Sequence, residues 1–106
     1  MKEIKLLVSQ IDDELSDVKK YIKSATAYKG INDNMFSLYV KLAKAEMEHA
    51  LMIHDIAVSE IEKQRRVMDQ QGKEIPAYML ETWQEEHAEY IEETGRYKYE
   101  LEILSR

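Results

Sequence analysis

Apolar positions recur every seven residues through the first quarter of the chain. Ile4, Ile11, Val18 and Ala25 form one stripe, and Val8, Leu15 and Ile22 form its neighbour. Seven residues are close to two turns of helix, so these stripes share one face and predict a helix from about Lys2 to Tyr28. A third stripe reads Leu7, Glu14, Tyr21, Tyr28. Glu14 thus takes a position that its neighbours give to apolar or aromatic side chains, whereas Asp12, Asp13 and Asp17 fall on polar stripes. Gly30 suits the left-handed residue after a helix end, and Lys29 suits the negative pole of the helix dipole.

Asn32, Asp33 or Asn34 is the expected cap of a second helix, from about Asn34 to Gln71. Two sides of it are apolar. One carries Leu38, Leu42, Ala45, Met52, Ile53 and Ile56; the other carries Val40, Ala43, Met47, Ala50, Leu51, Ala57, Val58 and Ile61. A helix apolar around so much of its girth is expected to have neighbours on more than one side. Gln71-Gly72 closes it, and Pro76 fits the first turn of a third helix running to about Leu104. The expected buried side there is Leu80, Trp83, His87, Tyr90, Ile91, Thr94, Tyr97, Leu101 and Leu104. The two connections are short, so consecutive helices lie antiparallel in an up-down-up bundle.

Composition agrees with this all-α reading: of 106 residues only three are glycine and one is proline. The length suits one domain over residues 1–106. There is no cysteine, which excludes disulfides, thiolate metal sites and thiol catalysis. A net charge of -6 argues against nucleic acid as a partner, since a basic face is the usual footprint. No apolar run approaches the roughly 20 residues that span a bilayer, and charges run through the N-terminal MKEIKLLVSQIDDEL where a signal peptide would be apolar. A cytoplasmic protein with no membrane partner is expected. The acidic run from Gln84 to Glu93 reads as a solvated face.

The candidate chemistry lies mid-way along the second helix. Glu46 and His49 are three residues apart, hence on one side of the helix, within the stripe of Leu38, Leu42, Met52 and Ile56. Burying such groups without partners is costly, so pairing or a metal is expected. Antiparallel helices rise equally per residue. With the first turn centred near Ile31, Glu14 and residue 48 are each 17 residues away, which places Glu14 beside Glu46 and His49. The same count about the second turn, centred between Lys73 and Glu74, puts His87 near Glu60 as a second polar cluster, and sets Tyr97 to Glu100 opposite Glu46 and His49. His54 falls beside Leu51 and Val58 and reads as a packed or interface histidine. Trp83, Tyr90 and Tyr97 read as core.

A lone Glu on one helix and Glu-x-x-His on its antiparallel partner is half of the ligand pattern of ferritin-like di-iron carboxylate proteins. The chain resembles that superfamily through Glu14 and Glu46-Met47-Glu48-His49. In its DDELSDVKKY and AEMEH segments and its aromatic third helix with His87, it is similar to small ferritin-like proteins of Gram-positive bacteria and their prophages. It departs from the full pattern on the third helix, where Gln84-Glu85-Glu86-His87 stands and Gln84 is a poor substitute for an anionic ligand. The short ferritins found inside encapsulin shells suggest a remedy. There a homodimer completes the bundle, and two copies of Glu14, Glu46 and His49 would make a full ligand set.

The resemblance therefore implies a homodimer or higher homo-oligomer binding iron or manganese through Glu14, Glu46 and His49. Ferroxidase-type oxidation or sequestration of iron, or oxidative-stress protection, is the implied activity, and no further catalytic residue is assigned. The alternative is a non-enzymatic helical assembly module, prophage-encoded in that reading, whose buried Glu/His cluster fixes helix register without metal.

Overall fold

A computed structural model describes residues 2–106 as three helices: α1 (Lys2–Tyr28), α2 (Asp33–Gln70) and α3 (Ala77–Leu104). No strand occurs among the described residues. The ends fall within a residue of those expected from the sequence. Asn32 caps α2: its side-chain oxygen accepts from the Met35 amide at 3.1 Å. Gly30 takes φ +77° and Gly72 φ +68° at the two turns, conformations that a Cβ disfavours. Pro76 stands just before α3 rather than inside its first turn, and its carbonyl accepts from Met79 and Leu80.

Each helix packs through positions that alternate steps of three and four residues. On α1 these are Ile4, Val8, Ile11, Leu15, Val18, Ile22 and Ala25; on α2, Val40, Ala43, Met47, Ala50, His54, Ala57 and Ile61; on α3, Trp83, His87, Tyr90, Thr94, Tyr97, Leu101 and Leu104. All are buried or half-buried. This is the repeat of helices that wrap around one another with interlocking side chains. Ala25, Ala43, Ala50 and Ala57 have no exposed surface. Such small side chains let α1 and α2 approach closely, and that pair forms the main interface. α3 lies chiefly along α1 and runs parallel to it, with few close backbone approaches to α2. Large rings fill the wider α2–α3 gap: His54 of α2 stacks on Tyr90, Trp83 and His87 of α3.

The buried side of α2 runs through Val40, Ala43, Ala50, Ala57 and Ile61 of its second apolar side, while Leu51 and Val58, expected on that side too, are exposed. The side that carries Glu46 and His49 is only partly covered: Leu38 is 45% exposed, Met52 66% and Ile56 56%, while Leu42, Ala45 and Ile53 are half-buried. The reason is the count of helices. One chain has two helices to offer α2, and both lie on the side of Ala43, Ala50 and Ala57. Ile91, expected on the buried side of α3, is likewise exposed; it lies next to Tyr90 but off the alternating three-four row that faces α1 and α2.

The α2–α3 register also differs from a symmetric hairpin. His87 lies beside His54, six residues before Glu60, so the chain is displaced by roughly 9 Å of helix rise. α2 continues to Gln70, and residues 73–76 are non-helical. Extended residues advance about 3.3 Å each. That segment, with Ile75 buried, runs back along the last turns of α2 before α3 starts. A count that assigns the loop to neither direction misses this return.

Candidate metal centre

Glu14 precedes the core residue Leu15, and Glu46 precedes the half-buried core residue Met47. Both therefore flank the packed seam. In an antiparallel pair, positions that flank the seam in this way face each other across it. The neighbours on the same two stripes show the register independently: Tyr21 of α1 lies 6.1 Å from Tyr39 of α2, and Tyr28 stacks on Tyr39 at 5.9 Å with rings 6° apart. One heptad along from the Tyr21–Tyr39 pair, the facing positions are Glu14 and Glu46. His49, one turn after Glu46, leans toward the same point.

The three side chains meet. His49 Nδ1 lies 3.8 Å from Glu14 Oε2 and 3.7 Å from Glu46 Oε2, and one ligand atom from each residue falls within 4.8 Å of the other two. These separations are too long for hydrogen bonds. Glu14 Oε2 is buried with no hydrogen-bond partner, and no lysine or arginine forms an ion pair with either carboxylate among the described residues. The pocket is thus a pair of converging carboxylates with a half-exposed imidazole over them. First-row divalent ions hold oxygen and nitrogen ligands at about 2.0–2.2 Å, which spaces ligand atoms about 3–4 Å apart around a shared ion. The donor set, two hard oxygens and one imidazole nitrogen, suits iron or manganese.

The other polar residues singled out in the sequence do not join this group. Glu60 lies on the Glu46 stripe and is half-buried, but His87 bonds His54 instead, with His54 Nε2 and His87 Nδ1 2.8 Å apart. His54 is 8% exposed. Its ring lies 3.9 Å from that of Tyr90, nearly parallel, and also stacks on Trp83. Burial, and then the charge of His87, hold its pKa below the ordinary 6.5, against a smaller opposing pull from Asp55. Of the packed or interface roles expected for it, His54 is thus a packed core histidine, in the row of Ala50 and Ala57 rather than with the exposed Leu51 and Val58. Lys98 and Leu101 of α3 line a groove with Lys44 and Met47 of α2, but the shift that pairs His87 with His54 takes Tyr97 to Glu100 off the level of Glu46 and His49 where they were expected. Trp83 and Tyr90 are half-buried and Tyr97 is buried.

The acidic side of α3 is not wholly solvated. Burial, then the charges of Asp12, Glu89, Glu85 and Glu93, raise the Glu86 carboxyl above its usual range. Asp12 on α1 is raised in the same way by burial, Glu89 and Asp13. No helix is long and apolar enough to cross a membrane among the described residues. Comparison with family models, with curated proteins and with solved structures found no match, so the reading of this centre rests on its own geometry.

Proposed function

We propose that this chain is a ferritin-like metal-binding protein whose site, Glu14, Glu46 and His49, is shared between two copies and handles iron or manganese. The observation that carries this reading is the convergence of the three ligand atoms around the buried, unpartnered Oε2 of Glu14. A cation between the two carboxylates removes their repulsion and satisfies that oxygen together. Glu14 and Glu46 supply the negative charge that favours the more highly charged oxidation state, and His49 supplies a neutral nitrogen donor. Iron held by these three residues would supply one-electron chemistry, with oxygen or peroxide as the oxidant of the ferrous ion.

The surroundings support a second copy. Three ligands leave a divalent ion short of its usual coordination, and the side of the site away from the core is open. Leu38, Met52 and Ile56, exposed on the α2 face that carries Glu46 and His49, form an apolar border that a partner hairpin would cover. A twofold axis at the centre would bring in a second Glu14, Glu46 and His49.

The rival reading, a register-setting cluster in a metal-free assembly module, needs hydrogen bonds that lock the three side chains. Their 3.7 and 3.8 Å separations do not provide them. Elemental analysis after aerobic loading with ferrous iron separates the two. Iron retained by the unaltered chain and lost from the Glu46→Ala/His49→Ala variant is expected. Equal iron in both, or none in either, sinks the metal reading.

A further inference from the structure

At the end of the rod remote from the first turn, α1 and α3 part to leave an open groove of about 480 Å³. Its apolar floor comprises Ile4 and Val8 from α1 with Met79 and Trp83 from α3, and Asp12 of α1 and Glu86 of α3 also line it. The volume lies within the roughly 300–1,000 Å³ usual for small-molecule sites. We propose that this groove binds a small amphiphilic cation, with an ammonium group between Asp12 and Glu86 and an apolar tail along Ile4, Val8, Met79 and Trp83.

Three observations converge on that chemistry. First, the floor is apolar and aromatic yet uncovered. Second, among the described residues neither Asp12 nor Glu86 has an ion pair, although Lys5 also lines the groove. The charge of Glu89 reaches both carboxylates, so the acids outnumber that lysine. Asp12 and Glu89 both repel the Glu86 carboxylate, and a bound cation relieves the repulsion. Third, Trp83 presents the ring type that attracts organic cations most strongly. It continues inward into the stack with His54, where Val8, Glu86 and Trp83 also line a small inner cleft beside Tyr90. An anion meets repulsion from both carboxylates, and an uncharged chain gains only the floor. The site lies on the α1–α3 side, away from Glu14, Glu46 and His49, and does not depend on the metal reading.

Trp83 is the chain's single tryptophan, so its fluorescence reports on the groove directly. Titration with octyltrimethylammonium chloride, sodium octanoate and octyl glucoside, each below its micelle-forming concentration, tests the proposal on the unaltered protein. A saturable change in emission with the ammonium compound alone is expected. In the Asp12→Asn/Glu86→Gln variant its affinity should fall by at least about tenfold, since the charge attraction is gone while the floor remains. Equal responses to all three probes, no saturable response to the ammonium compound, or unchanged affinity in a folded variant would overturn it. The three-probe comparison decides the question even where the variant fails to fold.

Discussion

Glu14 and Glu46 occupy positions that, one heptad away on each helix, hold the tyrosines Tyr21 and Tyr39. Replacing that ring contact by two carboxylates costs the hairpin an apolar pair and adds repulsion. Glu14→Gln is therefore expected to raise the stability of metal-free protein by up to about 1 kcal/mol, measured by urea denaturation in chelator. The same variant should lose at least about a hundredfold in affinity for ferrous or manganous ion, because removing a direct ligand exceeds the loss from disturbing an outer one. His54 makes a separate prediction. Its folded pKa lies below 6.5, so the folded state binds fewer protons than the unfolded one. Stability is then full above about pH 6.5 and falls as pH drops below that value toward the folded pKa. Urea midpoints at pH 7.5 and pH 5.5 should show the fall, and His54→Phe, which keeps a ring in the stack, should flatten it.

At the scale of the helices, the small residues on the α1–α2 seam set the interface. Ala50→Leu forces the backbones apart where Ala50 has no exposed surface. It should cost about 1–3 kcal/mol by thermal or urea unfolding, whereas an Ala→Leu change at the less buried Ala45 should cost far less. The sequence made α1 fully readable, because its stripes have one apolar face and one polar one. α2 was readable in extent but not in orientation. Both its sides are apolar, and periodicity alone does not say which one a single chain can cover. The first level count placed Glu14 correctly because the turn at Lys29–Asn32 is short and nearly symmetric. The second misplaced His87 because residues 73–76 return along α2, a path that depends on where Ile75 finds cover rather than on any helical repeat. The groove between Asp12 and Glu86 had no sequence signal at all, since these residues are far apart in the chain and the acidic run on α3 looks like ordinary solvated surface.

The whole molecule is a rod, 61 Å by 17 Å by 17 Å, with a radius of gyration of 17.2 Å, where a compact chain of this length has about 13 Å. Its accessible surface is 7452 Å², against about 6,200 Å² for a typical monomer of this mass. The excess exceeds the roughly 800 Å² that each partner buries in an ordinary protein interface. Part of that surface is the apolar border of the Glu14–Glu46–His49 centre. Ile56→Lys should accordingly abolish self-association while leaving the stability of the isolated chain within about 0.5 kcal/mol, because Ile56 is already exposed there. Sedimentation at matched concentrations reads the first effect and urea unfolding of the monomer the second. Native mass spectrometry of protein loaded with ferrous or manganous ion tests the central claim most directly, since it counts chains and metal ions in one particle. A dimer that carries metal, together with loss of that metal in the Glu46→Ala/His49→Ala variant, is the predicted result; a metal-free particle, or a monomer whose metal survives that substitution, contradicts it.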